Sequence, residues 1–203
     1  MSDARDSFPH MGVYPVSVGA EEWFGDEEDG WGEVASALDA ELRRRGLPPY
    51  EDVPAETAFA PGSGQAFEEK LTPDMTGFLT LCQTHLSREE SEILCGWTVL
   101  VPFSLDEEIW LPIESDDHDS MVAGAPQVLP LAEKLAAAID LPAETPATCD
   151  NLDLSTWFRH QAKELAATRT GPWTKDLDTA FYVALFLRAA QHSIRRGCPI
   201  VCT

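Results

Sequence analysis

The sequence predicts an α+β fold that is mostly helical, with a small antiparallel sheet and a buried C-terminal helix. Apolar residues recur at helical spacing over much of the chain. Three short segments rich in β-branched and aromatic residues predict the strands. With 44% of its 203 residues apolar, the chain has the material for a packed core.

The predicted strands lie near residues 12–18, 97–103 and 109–113. Proline donates no backbone hydrogen bond, so Pro15 predicts an edge position for the first strand. The other two are separated by a short polar segment, and we expect them to pair as an antiparallel hairpin. Because Pro102 and Pro112 interrupt them, neither is expected to be a regular central strand.

Three helices are predicted in the first half of the chain. Apolar side chains recur at helical spacing over residues 31–46, where three arginines and a glycine mark the C-terminal end. Residues 72–74 supply a cap, a proline and an acid for the start of a second helix. Ser87 and Glu90 have the spacing of a capping box, which predicts a short helix ending at Gly96.

The second half is predicted to be largely helical. We expect helices over residues 128–139, 155–168 and 174–196, the last two being separated by a Gly-Pro pair. Residues 179–190 are apolar nearly all round, which is expected of a helix covered by other elements. This segment is therefore the predicted core helix.

These elements are expected to form a single globular domain over residues 1–203. It carries a polar N-terminal tail at 1–10 and a long Pro- and Gly-rich loop at 48–70. Residues 13–49 and 99–143 share the order strand, acidic loop, helix and Leu-Pro exit. A pseudo-symmetric repeat is one interpretation of that likeness, and chance is the other.

All of the formal net charge of −21 lies before residue 121. Residues 1–60 carry 14 acidic and 4 basic side chains, residues 61–120 carry 13 and 2, and residues 121–203 carry 8 and 8. A surface of one sign repels nucleic acid and anionic lipid, and it attracts basic proteins. We therefore predict a basic protein as the partner, with no direct nucleic-acid binding and no membrane binding.

The compartment and the cofactors are predicted from what the chain lacks. The first ten residues do not resemble a signal peptide, no run reaches the roughly 20 apolar residues of a membrane span, and the five cysteines have no disulfide-framework spacing. A cytoplasmic location is the expectation.

Cys82, His85 and Cys95 have the residue types of a zinc site, but a structural site needs four ligands. We predict no metal and no cofactor.

The first candidate partner-binding segment combines acidic and aromatic side chains. It comprises Glu21, Glu22, Trp23, Phe24, Asp26, Glu27, Glu28, Asp29 and Trp31. Aromatic anchors supply burial at protein interfaces, and the surrounding charges steer the encounter. The alternative interpretation is that the three aromatic rings dock this loop onto the core.

The second candidate is an acidic loop with a histidine. It comprises Glu114, Asp116, Asp117, His118 and Asp119. Carboxylates beside a histidine can bind a cation or transfer protons, but this spacing matches no EF-hand. A solvated loop that assists partner binding is the simpler interpretation.

Together these features favour a small acidic protein-binding module, without catalytic activity, that masks a basic partner. Bacterial immunity proteins, which neutralise toxin domains, resemble the chain in size and charge, although no motif accompanies that resemblance. Two alternatives stay open: a small-ligand or metal-dependent enzyme with its site near residues 114–119, and a mimic of nucleic-acid charge. The sequence contains no GxSxG, HExxH or phosphate-binding loop to support an enzyme.

Overall fold

A computed structural model describes residues 14–25, 30–56, 60–71, 74–111 and 120–203. Within these residues the α+β prediction is confirmed. The strands are β1 (Pro15–Ser17), β2 (Val99–Val101), β3 (Ile109–Leu111), β4 (Ser120–Gly124) and β5 (Ile200–Cys202). The helices are α1 (Ala20–Trp23), α2 (Gly32–Arg44), α3 (Thr76–His85), α4 (Arg88–Gly96), α5 (Ala125–Ala138), α6 (Asp153–Arg159), α7 (Gln161–Thr168) and α8 (Leu177–Arg196), and a 3-10 helix covers Pro172–Lys175.

The strands form one mixed sheet in the order β1-β5-β2-β4-β3. β2 is parallel to β4 and antiparallel to β5, and β3 is antiparallel to β4. The predicted hairpin between β2 and β3 is therefore wrong, because β4 lies between them. The prediction assumed that consecutive strands are neighbours, which is the commoner arrangement but not the one adopted here.

Two prolines show how strand position follows from the missing N–H group. Pro15 lies in β1, which is an edge strand, as predicted. Pro102 lies just beyond the last residue of β2, so it removes no hydrogen bond from the ladder. This position allows β2 to be the central strand of the sheet, contrary to the prediction. Pro112 lies outside the described residues.

Alternation along the strands gives the sheet two apolar faces. Val99, Val122 and Val201 pack with α1 and α2 on one face. Leu100 and Ile200 pack on the other face with the cluster formed by α3, α4, α5 and α8. Helices therefore cover the sheet on both sides, with α2 opposite the larger helical layer.

The two segments considered as a repeat have different structures. The first runs from β1 through α1 to α2, whereas β3 and β4 intervene between β2 and α5 in the second. Helix α2 packs in the cluster on one face of the sheet, and α5 packs in the cluster on the other. The likeness between the segments is one of composition.

Local signals placed several helix boundaries correctly. Ser87 Oγ accepts from the Glu90 backbone N–H at 3.1 Å while the Glu90 carboxylate accepts from the Ser87 N–H at 2.7 Å, so the predicted capping box opens α4. That helix ends at Gly96, as predicted. Gly46, which follows α2, has a φ of 75°, a conformation that glycine adopts without strain.

Two helix predictions need correction. The second predicted helix, α3, begins at Thr76 and therefore later than the start signal at residues 72–74. The Thr76 N–H donates to Asp74 Oδ1 at 2.8 Å, and residues 72 and 73 lie outside the described part. The single helix predicted over 155–168 is two helices, α6 and α7, which meet at His160 with φ −119° and ψ −76°. No proline or glycine marks that break in the sequence.

The loop at 60–71 is held to the fold by two buried carboxylates. Glu69 accepts from the N–H groups of Leu154 and Ser155, at 2.6 and 3.0 Å, and from Ser155 Oγ at 2.7 Å, so it satisfies the free donors at the start of α6. Asp150 accepts from the N–H groups of Gly64 and Ala66 at 2.9 and 3.3 Å. The predicted long loop is therefore an ordered surface segment here.

Helix α8 is the core helix that the sequence predicts. Its central residues are buried, including all those expected to be so: Phe181, Val183, Ala184, Leu185 and Leu187. It ends at Gly197, whose φ is 68°. None of the helices among the described residues has both the length and the apolar character needed to cross a membrane.

Replacing Leu185 with alanine should lower the free energy of unfolding by about 2–5 kcal/mol, because it removes buried methyl groups and leaves a cavity. Urea denaturation followed by circular dichroism measures this. Ile194 on the same helix is 39% exposed, so the matched Ile194→Ala change should stay within about 0.5 kcal/mol. Equal effects of the two substitutions would contradict the placement of α8.

Candidate functional site

The acidic segment around α1 divides its aromatic side chains between core and surface. Trp23 is only 1% exposed, and its ring meets the ring of Tyr50 edge-on at a centroid distance of 6.0 Å. The prediction of Trp23 as a partner-binding anchor is therefore wrong, because this side chain packs in the core beneath α1. Phe24, by contrast, is 45% exposed.

Phe24 follows two exposed carboxylates in the sequence. Glu21 and Glu22 are both exposed on α1, and Trp31 is half-buried at the start of α2. The Trp31 backbone N–H donates to the Glu22 carbonyl oxygen at 3.0 Å, and its side chain also hydrogen-bonds the Glu22 carboxylate. Those bonds fix the position of this surface relative to α2.

A further carboxylate comes from the loop after α2. The Ala20 N–H donates to the Pro54 carbonyl at 3.0 Å, which brings Glu56 next to α1. Burial, and then the charge of Glu56, raise the pKa of the Glu22 carboxyl. We call the surface formed by Glu21, Glu22, Phe24, Trp31 and Glu56 the acidic patch.

The acidic patch has uncompensated negative charge. Among the described residues, no Lys or Arg lies within ion-pair distance of Glu21, Glu22 or Glu56. Other acids of the same half are paired, since Glu41 binds both Arg44 and Arg45 at 2.7 Å. The patch therefore combines carboxylates that have no cationic partner within the described residues with an exposed aromatic side chain that is close to Glu21 and Glu22 in sequence.

Several predicted site residues lie outside the described residues. They are Asp26, Glu27, Glu28 and Asp29 of the first segment, and Glu114, Asp116, Asp117, His118 and Asp119 of the second. Their assignment to a partner-binding surface stays a prediction.

A second exposed aromatic ring borders a groove between α3, α4 and β3. The groove has a volume of about 530 Å³, and Trp110 at its edge is 56% exposed. Its apolar lining includes Leu79, Leu86 and Met121. The acidic and basic side chains that line it are few: Arg88 and Glu92, which pair at 2.7 Å, and Glu108. A mostly apolar lining with few charged groups is found both in contact surfaces and in small-ligand pockets.

A smaller cleft lies between β1 and the loop at 60–71. It has a volume of about 290 Å³, and Asp150, Arg196 and Cys198 are among its lining residues. Burial raises the pKa of the Cys198 thiol to about 11, so this sulfur is not an activated nucleophile. The carboxylate of Asp150 accepts backbone donors from the loop, as described above.

Cys149, which precedes Asp150, is no better suited to catalysis. Its side chain is buried, and burial raises the pKa of its thiol well above the ordinary value. Within the described residues, no three His, Cys, Asp or Glu side chains converge as metal ligands would. The described part therefore offers neither an activated thiol here nor a metal-ligand set of these residue types.

His192 is buried in the helical core near the same cleft. Its Nδ1 lies 3.3 Å from the Arg195 guanidinium, and its Nε2 has no hydrogen-bond partner among the described residues. Burial, and then the charges of Arg195 and Arg196, lower the pKa of His192 to about 4, against the opposing charge of Asp150. The folded protein thus holds this imidazole neutral at pH 7.

A low pKa of His192 predicts acid sensitivity. The imidazole of His192 binds a proton near pH 6.5 in the unfolded chain but only near pH 4 in the folded chain. Its neutral form therefore contributes fully to the free energy of unfolding above pH 6.5, and this contribution is lost as the pH falls to 4. In urea titrations, the loss of unfolding free energy between those pH values should be smaller in His192→Gln than in the wild type, by up to about 3 kcal/mol. Parallel curves would contradict this account.

Sequence reasoning missed two features of the site, Glu56 and Trp110. Glu56 reaches the acidic patch through a backbone contact that spans more than thirty residues. The sequence indicates Trp110 only as part of a strand. In the structure it points to the face of β3 opposite Ile109 and Leu111, which are buried, and it is 56% exposed. No family model, curated protein or solved structure matches the chain.

Proposed function

We propose that the protein is a binding module that masks the basic surface of a protein partner, with the acidic patch as its contact surface. One observation carries the proposal: Phe24 is exposed and directly follows the α1 turn that bears Glu21 and Glu22, whose carboxylates have no cationic partner within the described residues. An exposed aromatic ring surrounded by charge of one sign is a common form of protein interface.

Each part of the acidic patch has a distinct role in this proposal. The carboxylates speed the encounter with a basic surface, because opposite charges attract over about one screening length. Phe24 then contributes apolar burial, which slows dissociation. A Lys or Arg of the partner also relieves the repulsion between Glu22 and Glu56, which lie close enough for the charge of one to raise the pKa of the other.

The partner class that we favour is a basic toxin domain, with this protein acting as its immunity protein in the bacterial cytoplasm. The charge distribution supports that choice, since all of the net charge of −21 lies in residues 1–120. A toxin domain that acts on nucleic acid needs a basic surface, and an acidic protein bound there blocks it both sterically and electrostatically.

Affinity capture tests the proposal with two matched baits. The first bait carries Glu21→Lys, Glu22→Lys and Phe24→Ala. The second carries Glu133→Lys, Glu164→Lys and Ile194→Ala, which changes the net charge equally and removes an apolar side chain of similar exposure. Both variants are checked for native circular dichroism before use.

We expect a basic protein to be enriched on the wild-type bait and on the second bait, and to be lost from the first. Such a protein should have a sequence with excess Lys and Arg and should elute as salt rises. Equal capture by all three baits would contradict the acidic patch as the contact surface. Capture of acidic or neutral proteins alone would contradict the proposed partner class.

A further inference from the structure

Two cysteines from neighbouring helices face each other at the floor of the groove beside Trp110. Cys82 lies on α3 and Cys95 on α4, and their Sγ atoms are 4.0 Å apart. A disulfide bond requires about 2.05 Å, so the sulfur atoms need to approach by only about 2 Å. Both thiols are free in this structure.

We propose that Cys82 and Cys95 form a redox-active dithiol, which a hydroperoxide oxidises to a disulfide that links α3 to α4. The site is a modification site within the groove and does not depend on the proposed partner. Its ligand class is a small peroxide, and both cysteines line the groove, whose volume is about 530 Å³.

The contact between the two thiols favours reaction at Cys82. The hydrogen bond with Cys95 lowers the pKa of Cys82 and raises the pKa of Cys95, since a donated S–H stabilises the thiolate that receives it. The thiolate is the nucleophile in thiol oxidation, and a second thiol within reach resolves the first product. Both cysteines line the same groove; Cys82 is 1% exposed and Cys95 is partly exposed.

The remaining cysteines lack these properties. Burial raises the pKa of the Cys149 and Cys198 thiols, whereas the contact with Cys95 lowers the pKa of the Cys82 thiol although Cys82 is buried too. Cys202 lies in β5, and burial raises the pKa of its thiol to about 12. All five cysteines lie within the described residues, and only the sulfurs of Cys82 and Cys95 are in contact. Oxidation should therefore be selective for this pair.

The proposed reaction balances with hydrogen peroxide as the oxidant. The Cys82 thiolate attacks one peroxide oxygen, the O–O bond breaks, and a sulfenic acid forms while the other oxygen leaves as hydroxide, which takes up a proton to give water. The Cys95 sulfur then attacks the sulfenic sulfur, the S–O bond breaks, and a second water leaves. The two thiols lose two electrons and two protons in total, and one peroxide yields two waters.

Thiol titration and peptide mapping of the full chain test this site. The reduced protein is treated with a small excess of hydrogen peroxide, alkylated with iodoacetamide and digested with trypsin. Cleavage after Arg88 separates Cys82 from Cys95, so an intramolecular disulfide appears as two covalently joined peptides. Variants Cys82→Ser and Cys95→Ser are compared with the matched control Cys202→Ser.

We expect the five titratable thiols of the wild type to fall to three, with peptides 71–88 and 89–134 joined and the loss reversed by dithiothreitol. The Cys202→Ser control should also lose two thiols, and each variant of the pair should form no intramolecular disulfide. Full alkylation of Cys82 and Cys95 after peroxide treatment would overturn the proposal. So would oxidation at the other three cysteines, or cross-linking only between chains. Mapping of the wild type decides the matter even if a variant fails to fold.

Discussion

Replacing Trp23 with alanine is expected to lower the free energy of unfolding by about 3–5 kcal/mol. The side chain is 1% exposed and packs in the cluster between α1, α2 and the sheet. Its removal deletes a large apolar volume, and the edge contact with Tyr50 is lost with it. Denaturant unfolding followed by circular dichroism gives the change directly.

The neighbouring residue supplies the control for this substitution. Phe24 is 45% exposed, so Phe24→Ala should change the free energy of unfolding by no more than about 0.5 kcal/mol. The pair thereby separates the residue that stabilises the fold from the residue assigned to binding. A stable Trp23→Ala protein, or a severely destabilised Phe24→Ala protein, would show that the two side chains have been assigned to the wrong environments.

Replacing Glu69 with alanine should cost at least about 3 kcal/mol, since three donors lose their acceptor and each buried donor left unsatisfied costs about 1–3 kcal/mol. The side chain is fully buried, and its removal frees the start of α6 from the loop at 60–71. The same desolvation raises the pKa of Glu69, in spite of the hydrogen bonds that favour its charged form.

Glu68 is the matched control for Glu69. Its side chain is half-buried and accepts none of the hydrogen bonds described for the loop, so Glu68→Ala should cost less than about 1 kcal/mol. Limited proteolysis adds a local readout, because loss of the Glu69 contacts should expose residues 60–71 to cleavage. Equal stability of the two variants would mean that the carboxylate contributes nothing to the fold.

The helices could largely be predicted from the sequence, because their signals are local. The capping box at Ser87 and the apolar character of residues 179–190 each operate within a few turns of one helix. The break at His160 carries no such signal. The two helices on either side of it have different neighbours, since α6 contacts α8 and α7 contacts the 3-10 helix.

Strand pairing could not be predicted in the same way. β4 and β5 contain five and three residues, too few for a clear period, and β5 pairs with strands from the opposite end of the chain and from its middle. Cys202 lies within this strand, and Cys198 lies shortly before it. Non-local pairing depends on the assembled core more than on the residues of one segment.

The composition of the sequence identified the segment that carries the candidate site, but only part of the positions of its side chains could be predicted. Charge and aromatic content identified the segment, but the sequence does not reveal which ring faces inward, because α1 is a single turn. Trp23 and Phe24 are adjacent and point to different environments. The contribution of Glu56 required the fold, since it lies in a loop after the next helix.

Association kinetics with the captured partner test the central claim most directly. Rates are measured from about 0.1 to 1 M salt, where the screening length falls from about 10 to 3 Å, for the wild type, Phe24→Ala and a triple variant of the acidic patch with Glu21, Glu22 and Glu56 changed to Lys. We predict that salt and the triple variant each slow association by about tenfold or more, while Phe24→Ala mainly speeds dissociation. Rates that are indifferent to salt and to both variants, with an interface formed by residues 121–203, would contradict the account.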